Sequence, residues 1–181
     1  MLLSLGVLTV GAGAALGVVN MATAEPIEAA RQAALAQAIT EVLPPFDSSP
    51  ALDATPGGDG TTVYPAYEGG TLSGVAVESY SEAGFSGRIS VLFGFEPSGA
   101  LTDYRITASA ETPGLGAKAD TWFRDGGADV RGSDAPLAVR ADGGEVDAIT
   151  GATITSRAFV EALNRARVAF NTYMSTRNES N

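Results

Sequence analysis

The first 24 residues, MLLSLGVLTVGAGAALGVVNMATA, carry no charged side chain. A helix that crosses a bilayer core of roughly 30 Å needs about 20 predominantly apolar residues, and this run reaches that length. Gly13 and Gly17 form a small-xxx-small pair, with Gly6 and Gly11 nearby, a pattern suited to close packing between membrane helices. A second reading is a cleaved signal peptide, because Ala22, Thr23 and Ala24 have the small-x-small form of a cleavage site. No Lys or Arg precedes the run, and it exceeds a usual signal core, which favours a retained anchor. Glu25 and Glu28 follow it, and Arg31 is the first basic residue. A flank whose nearest charges are acidic is weakly consistent with the remainder of the chain lying outside the cytoplasm under the positive-inside tendency.

The remaining length suits one domain. The expected division is therefore an anchor over 1–24, a connecting helix over 25–46 and an extracytoplasmic domain over 47–181. Hydrophobic residues make up 45% of the chain and charged residues 18%, enough to build a core. The formal net charge is −10, and no basic cluster is present to neutralise phosphates, so nucleic acid is not an expected partner. The chain has no Cys and no His. Disulfides, thiolate nucleophiles and iron–sulfur ligation are thereby excluded, as are Ser-His-Asp machinery and most zinc or haem sites. Any redox work must be carried by an organic cofactor.

Beyond the apolar run, Pro26 opens a pattern in which Ile27, Ala30, Ala34, Leu35, Ala38, Ile39 and Val42 recur at helical spacing. The pair Pro44 and Pro45 ends it. Residues 47–60 are rich in Ser, Pro, Gly and Asp and read as a surface loop. The period then changes to that of strands over 61–67, 71–80, 87–95 and 101–109, with a hairpin turn at 96–99. A further strand is expected over 135–141, turned by Asp142, Gly143 and Gly144. The last element is a helix over 156–173. Phe159, Ala162, Leu163, Ala166, Phe170 and Tyr173 form its apolar stripe, and Glu161 and Arg165 form an i,i+4 pair outside. The order helix, strands, helix indicates an α+β domain with a mostly antiparallel sheet flanked by helices.

Two segments carry candidate chemistry. DAITGATITS (147–156) is a hydroxyl-rich loop leading into a helix. Free N–H groups and the positive end of the helix dipole can receive a phosphate there, and Arg157 stands at the edge of the same turn. Plain N-capping by Thr155 or Ser156 accounts for the same residues. ETPGLGAK (111–118) has two glycines and a proline, which let backbone approach a flat ligand closely. Its Lys118 is the sole lysine of the chain, and Trp122 follows. Alone, this segment also reads as a surface turn.

Together and in this order, behind an N-terminal apolar segment, ETPGLG and DAITGATIT resemble the G subunit of the Rnf ion-translocating electron transport complex. The chain is similar also to the C subunit of the Na+-translocating NADH:quinone reductase. The resemblance covers essentially the whole chain. It implies an FMN-binding domain behind a single-pass inner-membrane anchor, with the soluble part on the periplasmic side.

It further implies FMN attached by a phosphoester to the threonine of the TGAT motif, here Thr153. A flavin transferase would make the attachment from FAD, and Asp147 stands at the head of its recognition motif. Thr150, Gly151 and Ala152 complete that motif, and Thr155 is the alternative acceptor. Glu111, Thr112, Gly114, Leu115 and Gly116 would lie against the isoalloxazine ring, with Lys118 adding a donor or positive charge. Family members commonly have a histidine two residues before the glutamate, where this chain has Ser109, so no proton role is implied at that position.

The implied function is an electron-carrier subunit of a ferredoxin:NAD oxidoreductase complex, with other Rnf subunits as partners and no independent active site. The alternatives are a free-standing extracytoplasmic flavoprotein reductase and a non-redox ligand-binding module on a membrane stalk.

Overall fold

The long N-terminal helix α1 spans Leu2–Val42 and holds Pro26 in its interior. The helix expected to open at Pro26 is thus part of a longer one. Proline costs a helix one N–H bond and a clash with the preceding turn, and alanines on both sides of Pro26 favour helix enough to carry it through. The computed structural model describes residues 2–114, 116–122, 124, 130 and 136–179, with the side chains of all of these except 2–5, 7 and 8. The expected anchor therefore falls partly outside the described side chains. Among the described residues, no helix is long and apolar enough to cross a membrane.

The chain divides into two compact units, Met1–Leu35 and Ala36–Asn181. In the first, the described side chains Val10, Leu16, Val18, Val19 and Met21 are exposed. The hydroxyl of Thr23 donates back to the carbonyl of Val19.

The second unit is built on a five-stranded antiparallel meander in the order β1-β2-β3-β4-β5. Its strands are β1 Thr55–Gly58, β2 Thr61–Glu68, β3 Thr71–Gly84, β4 Gly87–Phe95 and β5 Leu101–Ser109. The alternation of β4 shows how both faces are covered. Ile89, Val91, Phe93 and Phe95 belong to the main core, where the closing helix α3, Thr153–Glu179, contributes Phe159, Leu163 and Phe170. Leu92 and Gly94 point the other way. A Cβ on Gly94 would lie 2.0 Å from the carbonyl oxygen of Val42, and one on Gly74 would lie 3.1 Å from the Leu43 side chain. Two glycines on neighbouring strands thus let the end of α1 lie directly on the sheet. Buried Ile39 and Val42 fill that contact, and Thr102 donates its hydroxyl to the Val42 carbonyl.

Two expectations are corrected. Residues 55–58, read as loop, form the edge strand β1, paired to β2 through the turn at Asp59 and Gly60. A Thr-Pro-Gly-Gly strand has almost no β-propensity and a proline tolerated only at an edge, so pairing by its backbone alone creates it. The strand expected over 135–141 does not form among the described residues. Val139 makes a single parallel bridge to Val146, and Arg140–Asp142 turns into a 3-10 helix. The Asn164 side chain takes the place of a partner strand. Its amide donates to the Leu137 carbonyl and its oxygen accepts the Leu137 N–H, each at 2.8 Å.

The final helix is longer at both ends than its apolar stripe. The stripe itself is buried from Phe159 to Phe170, with Tyr173 half-buried. Glu161 and Arg165 make the expected surface pair at 3.3 Å.

Candidate functional site

The segment before α3 is shaped by one glycine. The N–H of Ala152 donates to the carbonyl of Ile149 at 2.9 Å, and Gly151 has φ 78°. A positive φ at the third position of such a four-residue turn is the type II requirement, which glycine meets without strain. The turn delivers Ala152 to the helix N-cap, where its carbonyl accepts the Ser156 N–H at 3.0 Å. Alanine is a poor N-cap because it has no side-chain acceptor. The first N–H groups of a helix have no intrahelical partner, and those of Thr153, Ile154 and Thr155 are of this kind.

Ser156 does not cap them either. Its buried hydroxyl donates to the Ala152 carbonyl at 3.0 Å and accepts the N–H of Ile149 at 2.9 Å. The capping explanation of these hydroxyls is therefore set aside: Ser156 braces the turn behind the helix start.

Glu111 links this helix start to the rest of the sheet. Its side chain is buried, and each carboxylate oxygen accepts one bond. The Thr155 hydroxyl donates to Oε2 at 2.8 Å, and the Ser86 N–H donates to Oε1 at 3.2 Å. Glycines make room for it. A Cβ on Gly116 would lie 2.6 Å from Glu111 Oε2 and 2.8 Å from Thr155 Oγ1, and one on Gly84 would lie 2.7 Å from Oε1. A buried carboxylate in contact with two glycines and a hydroxyl is costly to leave unsatisfied, so these contacts fix three chain segments relative to one another.

Around this clamp lies a cleft of about 330 Å³, within the range of roughly 300–1,000 Å³ found for small-molecule sites. Of the residues singled out in the sequence, Glu111, Thr112, Gly116, Gly151, Ala152, Thr153 and Thr155 line it. Thr153 is half-exposed and, among the described residues, makes no side-chain hydrogen bond. Thr155 is 1% exposed, with its proton committed to Glu111.

The other expected residues lie elsewhere. Thr150 is exposed at the turn and outside the cleft lining. Gly114 and Lys118 are exposed on the 111–118 loop and likewise outside it. Asp147 is held by Arg140 at 2.8 Å, while its carbonyl accepts the Trp122 indole N–H at 3.2 Å. Leu115 lies outside the described residues. Arg157, at the same turn, forms a two-pronged pair with Asp142 at 2.7 and 2.8 Å. That guanidinium holds the Asp142 carboxyl below its usual range, and its own donors on that side are used.

Two lining residues were missed, Phe85 and Ile154. Both are large apolar side chains left in the open, 67% and 45% exposed. Ile154 had a signal, since it falls off the apolar stripe of α3. Phe85 had one too, as an aromatic inside Gly-Phe-Ser-Gly. The cleft thus combines a free hydroxyl at an uncapped helix start with an apolar side formed by Phe85 and Ile154. This donor set suits a ligand that is phosphate at one end and flat and apolar at the other.

Residues 84–168 match the FMN-binding domain family. The chain is 36% identical over 166 residues to the G subunit of the ion-translocating oxidoreductase complex of Cronobacter sakazakii (strain ATCC BAA-894), with 82% of this chain and 78% of that protein covered. With the G subunit of the same complex in Aliivibrio fischeri (strain ATCC 700601 / ES114) it is 42% identical over 110 residues, 58% of this chain and 52% of that one. The chain therefore spans about half the length of that relative. Among solved structures, Shewanella oneidensis NqrC shares 21% identity over 64% of this chain and 61% of that chain, with a TM-score of 0.43.

Proposed function

The chain belongs to the family of G subunits of ion-translocating oxidoreductase complexes, and on that premise we propose that it is a flavin-carrying electron relay with FMN joined to Thr153. The observation that carries the reading is the contrast among the motif threonines. Of Thr150, Thr153 and Thr155, the threonines of the TGATIT segment, only Thr153 both lines the cleft and keeps its hydroxyl free of protein partners among the described residues. A phosphate esterified there sits at the N–H groups of an uncapped helix, where the dipole favours negative charge.

Attachment forms a bond from Thr153 Oγ1 to phosphorus and breaks the pyrophosphate of FAD. AMP is the leaving group, the threonine proton is released, and a flavin transferase supplies the catalysis. The bound flavin supplies reversible one- and two-electron chemistry. The chain supplies position: Glu111, Thr155 and Ser86 hold the cleft, and Phe85 with Ile154 give it an apolar side. The tether keeps the cofactor from being lost outside the cytoplasm. The relay serves other subunits of the complex, which as a whole moves electrons between ferredoxin and NAD.

The test is intact mass spectrometry of the chain made with and without a flavin transferase. The expected result is a mass gain of FMN less one water, located on the peptide containing Thr153. An unmodified Thr153 peptide from the coexpressed chain overturns the reading.

The same reading makes the apolar start of α1 a membrane anchor, with residues 47–181 on the periplasmic side. Alkaline phosphatase fused after Asn181 is then expected to be active in cells, since it works only outside the cytoplasm. An inactive but stably expressed fusion would reverse the orientation.

A further inference from the structure

The hairpin between β3 and β4 closes with only two residues, Phe85 and Ser86, between the paired Gly84 and Gly87. Two-residue hairpin loops favour Gly, Asn and Asp, because the tight turn requires unusual backbone angles. Here neither loop residue has a positive φ, because Gly87 with φ 108° takes the left-handed position, and the loop is held from outside by the Ser86 N–H bond to Glu111. Phe85 is therefore not explained by turn geometry. Nor is it explained by core packing, because it is 67% exposed. Its position on the cleft, across from the helix start that bears Thr153, remains as the reason for it.

We propose that the Phe85 ring is a stacking wall for the isoalloxazine, with Glu111 as the positioning residue that holds the wall in register with the attachment point. The inference rests on the flavin reading of the cleft; it adds Phe85, which the sequence motifs do not contain, and gives the motif residue Glu111 a positioning role. Glu111 sets the geometry because its two oxygens bond to the two sides of the cleft: Oε1 to the Phe85 hairpin and Oε2 to α3 through Thr155. Gly84 and Gly116, which have no Cβ, leave the carboxylate the space it occupies between the two sides. A site held through locked neighbours in this way is preorganised for a rigid ligand. A flat aromatic ligand gains from offset stacking on a phenyl face, and the same contact covers an otherwise exposed aromatic side chain.

The experiment uses the full chain loaded with FMN, with loading verified by mass on every sample. Phe85→Trp places an indole at the same point, and an indole touching a photoexcited flavin donates an electron and quenches its emission. The expected result is a several-fold shorter flavin fluorescence lifetime in Phe85→Trp than in the wild type. Phe85→Ala, a change at an exposed site, is expected to raise quenching by iodide several-fold as one face of the ring opens to solvent. Glu111→Gln is expected to move iodide quenching in the same direction by less, since an amide keeps one acceptor. Loaded Phe85→Trp and Phe85→Ala chains that both match the wild type overturn this inference and leave attachment at Thr153 standing. A wild-type chain that takes up no flavin when made with the transferase overturns both.

Discussion

Thr153→Ala is expected to abolish covalent flavin: no mass gain, and no fluorescent band in a denaturing gel under ultraviolet light. The loss is complete because the phosphoester needs the hydroxyl oxygen itself, and no other hydroxyl of the 147–156 segment substitutes for it. Thr155 is two residues on, buried at 1% exposure, with its proton donated to Glu111. Ser156 is fully buried and bonded to Ala152 and Ile149. Thr150 does not line the cleft.

Thr153→Ser is expected to restore the band, since it returns the oxygen at the same place. Thr155→Ala separates attachment from support. It keeps the flavin but deprives a buried carboxylate oxygen of its donor, at a cost of about 1–3 kcal/mol, measurable as a lower urea midpoint. A fluorescent band retained in Thr153→Ala and lost in Thr155→Ala would move the attachment to Thr155.

What the sequence foretold follows from where the determinants lie. β4 and β5 keep their expected bounds because glycine and turn residues punctuate them and β-branched and aromatic side chains fill them. β1 was invisible because its partner supplies everything: a Thr-Pro-Gly-Gly segment becomes a strand only when β2 is beside it. The expected strand near Val139 failed for the converse reason. Its alternation was real, but the Asn164 amide, remote in sequence, satisfies the Leu137 backbone first.

At the site, the motif residues were readable and their division of labour was not. Spacing alone leaves Thr153 and Thr155 equivalent, because the buried bond that separates them comes from Glu111, 44 residues away in sequence. Lys118 and Asp147 belong to the motifs but not to the cleft lining, since Gly116–Lys118 winds into a 3-10 turn and Asp147 is drawn to Arg140. Phe85 comes from a hairpin whose approach to α3 is long-range, so Gly-Phe-Ser-Gly marks an aromatic at a turn but not the cleft it faces.

The other large effect is expected at Phe159, which carries no chemistry. Phe159→Ala should destabilise the second unit by about 3–5 kcal/mol, the usual cost of deleting a buried phenyl ring. Phe159 is fully buried on the sheet side of α3. Its ring meets Phe93 edge-on with centroids 5.4 Å apart and Tyr104 at 4.8 Å, so one truncation removes two aromatic contacts and leaves a cavity. The damage extends along Tyr104, whose hydroxyl donates to the Ala119 carbonyl at 2.7 Å and so ties the segment after the 111–118 loop to the core.

Yet the bonds that shape the helix start, Ser156 to Ile149 and Thr155 to Glu111, do not pass through Phe159. Urea unfolding should therefore show a much lower midpoint with an unchanged slope, while protein recovered in the folded state still carries flavin on Thr153. Phe159→Leu, which refills part of the space, should fall between the two. A Phe159→Ala chain as stable as the wild type would mean that α3 is held to the sheet by something other than this aromatic cluster. A folded Phe159→Ala chain that refuses flavin would mean that the attachment point depends on the whole length of α3, rather than on the local clamp of Glu111, Thr155 and Ser156.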